Sequence, residues 1–349
     1  MLRRTTTKGI VKEKSAFVEL MGYHGINVKL GALCALLCII LLYCLLTNRI
    51  FRRKRKLIIT LAAADLFNSL GILLMGVDRY FLYDNIAHTG HIQSETSWSC
   101  AKQFWLLVKT AGDVWPPIVQ CFMGTEQLLL AYNKVQVKRR SDVLVLASVI
   151  FTVGVVVTGY ILAFSSRFDG NVKYFCGRKA TFGRKFSGFV YAHNVLGYVS
   201  GVVLNSIALQ RIENEAKSLY EKSECKDRRI LHIRSCLIVS TISTILVSIP
   251  NCLSLFSLLI ISVKDSISKP AVWATCVNSG VNLFVYFILD RDFRRHVLFL
   301  WKREEYDTVS EEQNDNEEDK RENRHFNQCE SGTVASDSVF EQKMLILSQ

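Results

Sequence analysis

The sequence predicts an all-α membrane protein, a seven-transmembrane helix bundle closed by an amphipathic eighth helix. Three observations predict it. Hydrophobic residues make up 50% of the chain against 21% charged, and the mean hydropathy is +0.20. Such a chain is too apolar for a soluble globule unless its charges are segregated, and they fall into basic clusters between long uncharged runs. Seven of those runs approach the roughly 20 residues a helix needs to cross a bilayer. The last one leads straight into Asp290 to Trp301, where Phe293, Val297, Leu298 and Leu300 share one helical side and Arg291, Arg294, Arg295 and His296 the other. That is the pattern of a helix resting on an anionic leaflet. In a soluble protein the net charge of +12 would point to nucleic acid. Cations that flank apolar spans point instead to membrane lipid, and no nucleic-acid partner is expected.

Taken in order, residues 1–28 read as an extracellular tail without an apolar core of signal length, so the first span, Leu30 to Leu46, is expected to act as its own insertion signal. Behind it stand Arg49, Arg52, Arg53, Lys54, Arg55 and Lys56, the densest short basic loop in the chain. That cluster should stay cytoplasmic, leaving the N-terminus of a multi-pass plasma-membrane protein outside. Arg3, Arg4, Lys8, Lys12 and Lys14 pull the other way. The second span is Leu57 to Val77, the third about Gln103 to Tyr132, the fourth Val143 to Ser165 and the fifth about Phe186 to Leu209. The sixth is Ser235 to Val263 and the seventh Ala271 to Leu289, which completes a transmembrane domain over 29–301. On this topology the basic segments Lys134 to Arg140 and Arg211 to Arg234 are cytoplasmic, in agreement with the first loop. The outer segment Arg167 to Lys185 is also basic, which suits a ligand-facing surface. No internal repeat is visible, which disfavours an inverted-repeat transporter. Residues 302–349 change to an acidic, polar composition expected to be a disordered cytoplasmic tail. Thr308, Ser310, Ser331, Thr333, Ser336 and Ser338 offer phosphorylation sites there, and a solvated tail without a switch is an equal reading.

The topology sorts the eleven cysteines. Cys34, Cys38, Cys44, Cys121, Cys236, Cys252 and Cys276 fall in spans, where cysteine acts as a small apolar residue, and Cys225 and Cys329 fall on the reducing side. Cys100 and Cys176 remain, both outside, and are expected to form one disulfide that holds the loop over the bundle mouth. All four prolines lie in or beside spans. Pro250 should kink the sixth and make it a hinge, Pro270 opens the seventh, and the Pro116-Pro117 pair must distort the third.

Buried polar groups supply the candidate sites. Asp65, in LAAADLFNSLG, costs roughly 3 kcal/mol to insert unpartnered. Its natural partners are Asn278 and Asn282, one turn apart on the seventh span, with water or a cation between them as an option; a purely structural cluster is an equal reading. Lys109 and Asp113, one turn apart in the third span, either neutralise each other or give one of them to a ligand. His193, Asn194, Asn251 and Trp273 are candidate lining for the same outer cavity, and packing is the alternative for each.

Together these residues resemble the rhodopsin-like G-protein-coupled receptors over about residues 28–301. LAAADL with Asp65 matches the family's second-span motif, and Asn282 to Tyr286, NLFVY, looks like its seventh-span NPxxY with leucine for proline. Phe293 falls at the phenylalanine of the family's eighth helix, Cys100 and Cys176 at its outer disulfide, and Pro250 at its sixth-span proline. The chain departs from the family where Gln127 follows Glu126 in place of the third-span arginine, and where Val247-Ser248-Ile249-Pro250 lacks the sixth-span tryptophan. The fourth span lacks its tryptophan and the fifth its proline. This pattern, with MGxExLL ending the third span, looks most like the nematode serpentine chemoreceptors of the Srsx-like group, with invertebrate neuropeptide receptors as neighbours.

The resemblance implies a non-enzymatic receptor for a small molecule or peptide. It implies a heterotrimeric G protein facing Glu126 and Gln127, and arrestin and a receptor kinase at the tail. A polar switch of Asp65, Asn278, Asn282 and Tyr286 would have a sodium ion as its one candidate cofactor. The missing arginine keeps a second class open, a seven-helix channel subunit or receptor-trafficking partner without G-protein coupling.

Overall fold

The computed structural model describes residues 3–92, 94–132, 137–166, 172–218, 224–259 and 268–303. The tail from Glu304 on, Cys329, much of the basic loop at 134–140 and the middle of the 211–234 segment lie outside the described residues. Apart from one isolated bridge between Glu95 and Val172, the regular structure described is helical. Six helical stretches are long and apolar enough to cross a bilayer: Phe17–Thr47, Lys56–Thr89, Ser141–Ser165, Gly183–Asn214, Ile230–Ser257 and Ala271–Leu289. Their outward faces carry large apolar side chains, among them Leu36, Tyr43, Leu146, Ile150, Ile161 and Leu196. In water such a surface would aggregate; in lipid it is the solvated side. The chain is a helical protein built for a membrane.

Helix α1 (Arg3–Thr47) is continuous, so residues from Arg3 on are helical where the sequence suggested a tail. The physical reason is packing beyond the span. α3 (Lys56–Thr89) likewise runs past Val77, and the two extensions meet where His24 stacks on Tyr83 with ring centroids 5.4 Å apart and Phe17 lies 6.1 Å from the same ring. Aromatic pairs of this kind add about 1 kcal/mol each beyond burial. Between them α2 (Arg49–Lys54) starts at Asn48, whose Oδ1 accepts from the Ile50 and Phe51 N–H groups.

Short α4 (Ser97–Ala101) opens on a Thr96–Ser99 capping box and carries Cys100 to the end of α5 (Phe104–Tyr132). α5 is not among the six stretches above, and Lys109, Asp113, Gln120, Glu126 and Gln127 interrupt its apolar run. It is nonetheless central, wedged between α3 and α8 (Gly183–Ser218). At the α3–α5 crossing a Cβ on Gly112 would stand 2.4 Å from the Asn68 Cα, and one on Gly71 would stand 2.6 Å from the Lys109 Cα. Two glycines therefore let the backbones touch. α6 (Val137–Ser165) packs on the outside of this pair, and α7 (Arg178–Thr181) leads into α8.

The sixth stretch comprises α9 (Glu224–Ser243), a π-helical turn at Thr244–Ser248 and α10 (Ile249–Leu259). Pro250 cannot donate to the Leu246 carbonyl one turn back, and the wide turn sits where that bond is missing. The distortion expected at Pro250 is thus present and lies on its N-terminal side. α11 (Ser268–Leu289) and α12 (Arg291–Arg303) follow, turned at Asp290, whose Oδ1 accepts from the Asp292 and Phe293 N–H groups at 3.1 and 3.0 Å. Phe293 is buried between Phe51 and Tyr286, whereas Leu298 and Phe299 stay exposed beside Arg291 and Arg295.

Candidate functional site

A continuous line of polar side chains runs from mid-bundle to the end where the loop before α8 is fastened. Its inner member is Asp65, 1% exposed, which accepts from Asn282 Nδ2 at 2.6 Å. One turn further along α3, Asn68 Nδ2 donates to Ser279 Oγ at 3.0 Å and to the Thr275 carbonyl at 3.3 Å, tying α3 to α11 a second time. Asn68 Oδ1 accepts from Lys109 Nζ at 3.1 Å, Lys109 pairs with Asp113, and Arg178 Nη1 donates to the other Asp113 oxygen at 2.8 Å. Arg178 also lies over the Tyr191 ring, 4.6 Å from its centroid. The loop that carries Arg178 is held by the Cys100–Cys176 disulfide, expected from the sequence and present. Tying the loop there fixes where the Arg178 guanidinium can reach.

Two predicted pairings therefore stand in altered form. Asp65 meets Asn282 but not Asn278, whose Oδ1 is buried without a partner. Lys109 and Asp113 do pair with each other, yet Asp113 serves two cations. Asn68 and Arg178 were not singled out by sequence reasoning. For Asn68 the signal was there, three residues after Asp65 on the same helical face.

The other predicted lining residues are engaged by the protein itself. His193 Nε2 meets the Val114 carbonyl at 3.1 Å, and its ring lies between Phe151 and Phe189, toward α6. Asn194 and Asn251 adjoin each other, and with its amide nitrogen turned toward the carbonyls Asn194 donates to the Asp113 carbonyl at 2.8 Å. That carbonyl has lost its helical donor to Pro117, so Asn194 repairs the Pro116-Pro117 break. Trp273 Nε1 donates to Asn27 Oδ1 at 2.8 Å and joins α11 to α1. His193, Asn194 and Trp273 thus tie helices together in this conformer.

At the opposite, basic end, Arg55 pairs with Asp290 and lies over Phe51, 4.5 Å from the ring centroid. Glu126 and Gln127, the latter 3% exposed, line a small recess with Met123, Arg55, His232 and Cys236. Tyr286 is buried nearby with its hydroxyl unpartnered. His296, counted with the cationic side of α12, instead packs edge-on against Phe51. Burial holds its imidazole below the ordinary value, opposed in part by the Cys44 carbonyl, and its Nε2 lies 3.1 Å from Thr47 Oγ1. Nothing among these groups forms a nucleophile-base pair. The one described group of three metal-type ligands, Glu95 with Cys100 and Cys176, has its sulfurs committed to the disulfide.

No protein-family model matches the chain, and no curated protein matches it. Fold and site define a class, a helical membrane-type bundle with a polar line through its middle and a disulfide-fastened loop over one end.

Proposed function

We propose that this protein is a seven-helix, plasma-membrane receptor, with its N-terminus outside, that binds a small molecule or peptide at the disulfide end and signals through a heterotrimeric G protein at the basic end. α5 then supplies the seventh span and α12 the amphipathic eighth helix. The observation that carries the reading is the polar line from Asp65 and Asn282 to Arg178. It gives a ligand at one end a direct purchase on α3, α5 and α11, whose rearrangement can be read at the other end. The π turn before Pro250 gives the sixth span a place to bend. A ligand that prefers the open conformer by several kcal/mol would then drive the switch. Glu126, Gln127 and the Arg55–Asp290 pair sit where a cytoplasmic partner would dock. Phosphorylation, arrestin and kinase recruitment at the tail, and a cation near Asp65, belong to this same reading.

The uncharged, buried Gln127 favours a second reading, a seven-helix channel subunit or trafficking partner that never engages a G protein. Gln127→Arg separates the two in cells bearing an N-terminal tag, with G-protein activation normalised to tag staining without permeabilisation. A receptor should change its basal signal at least several-fold. Unchanged signal at equal surface staining would sink G-protein coupling, and absence of staining in unpermeabilised cells alone would sink the orientation.

A further inference from the structure

Beside the polar line, a second arginine is set into the disulfide end without a carboxylate in ion-pair contact. Arg79 on α3 forms no ion pair among the described residues, and its Nε–H is buried without an acceptor. Its guanidinium lies 5.4 Å from the Trp105 ring centroid and 5.5 Å from that of Phe175, flat apolar walls that strip water from a cation. Gly177 completes the wall: a Cβ there would stand 3.7 Å from Arg79 Nη2 and 3.2 Å from the Phe175 ring. Arg178 follows it in sequence, so two arginines flank this one residue.

Two guanidinium N–H groups at this end are left unmatched: Arg79 Nε and Arg178 Nε are buried without an acceptor. Asp113 is already shared by Lys109 and Arg178. Asp78 faces the Trp105 indole and attracts Arg79, yet stands in no ion pair with Arg79 or any other described cation. A buried donor left unmatched is costly, more so when charged, and the cost is recovered when an acceptor-rich group arrives. A guanidinium is the planar, five-donor fork that fits a carboxylate bidentately, and the indole and phenyl faces around it suit an apolar or aromatic body.

We propose that the disulfide end binds an organic anion, a carboxylate on an apolar or aromatic frame, with Arg79 as its principal contact and Arg178 beside it. The proposal rests on the outer end being the ligand site. The carboxylate could belong to a small acid or to a peptide C-terminus, and the test separates the two. The full chain is purified into nanodiscs of zwitterionic lipid, and its thermal unfolding is followed without any G protein. Four probes are compared at millimolar concentration: indole-3-acetate, indole-3-acetamide, a phenylalanine-terminated tetrapeptide as free acid, and the same peptide amidated. At least one acid should raise the melting temperature by roughly 2 to 5 °C while its amide does not.

Arg79→Gln should abolish that shift and leave the unliganded melting temperature equal or higher, because a part-buried charge without an ion-pair partner has gone. Arg184→Gln, at an exposed position, should leave the shift intact. Equal shifts for acid and amide, no shift with either acid, or a shift that survives Arg79→Gln would overturn the proposal. A large loss of unliganded stability in Arg79→Gln would do so too, since it would mark a structural residue. If Arg79→Gln does not fold, Arg79→Lys replaces it, and full retention of the shift by a side chain without the fork overturns the bidentate contact. Binding is read apart from coupling, so failure of the Gln127→Arg assay and failure here are distinguishable.

Discussion

Replacing Asp113 by alanine should destabilise the bundle by about 3 to 5 kcal/mol, the cost of leaving buried charges without their partner. Lys109, Asp113 and Arg178 have only 13%, 15% and 16% of their side chains exposed, so water cannot take the carboxylate's place. The loss has a signature that distinguishes it from simple cavity formation. In the native chain Lys109→Met should be destabilising, because it removes the donor to Asn68 and one of the two cations on Asp113. With alanine already at 113, the same Lys109→Met should be stabilising, since it removes one of two cations that then repel each other. The melting temperatures of the four proteins of this cycle, followed by reaction of the buried cysteines with a thiol dye, measure the coupling. A Lys109→Met effect of the same sign and size in both backgrounds would show that the triad carries no pairing energy.

How much of this was legible in the sequence depends on range. Segregated charge and apolar runs of bilayer length mark out six of the long helices, because lipid punishes an unsatisfied backbone so severely that composition alone reports the span. The extension of α3 to Thr89 was hidden, since the apolar run ends at Val77, before the charged Asp78 and Arg79, and the helix beyond it is held by packing on α1. Asp65 and Asn282 could be matched because a buried acid needs a donor and few were on offer. Asn278 could not be ruled out the same way, since only the azimuth of α11 shows that Ser279 and Asn282 face α3. Arg178 was visible only as one of many cations in a basic loop; the disulfide decides which of them reaches Asp113. His193 and Asn194 read as ligand contacts because their task, meeting the Val114 and Asp113 carbonyls beside Pro116 and Pro117, requires knowing that α8 lies opposite the break. Gly197 shows how closely, since a Cβ there would stand 2.7 Å from the Pro117 Cβ.

Gly112→Leu should prevent the bundle from assembling. A Cβ at 112 meets backbone, with the Asn68 Cα at 2.4 Å and the Asn68 nitrogen at 2.5 Å, and backbone cannot rotate aside as a flexible side chain can. Even Gly112→Ala must push α3 from α5, at a cost of about 1 to 3 kcal/mol from overpacking, against which the gain in helix propensity of about 1 kcal/mol is the smaller effect. Leucine adds three more carbons at the tightest point of the crossing and should abolish recovery of monodisperse protein. The damage should reach the polar line, because Asn68 and Lys109 sit at this crossing and their 3.1 Å bond depends on the approach the glycines allow. Gly154→Ala is the matched control: it too is a helical glycine, nothing lies within 4 Å of its Cβ position, and it should be neutral or slightly stabilising. Size-exclusion profiles and melting temperatures of the three variants order the effects as leucine, then alanine at 112, then alanine at 154. Recovery of Gly112→Leu at the native level and melting temperature would mean that α3 and α5 do not cross in backbone contact, and the positions of Lys109 and Asp113 relative to Asn68 would fall with it.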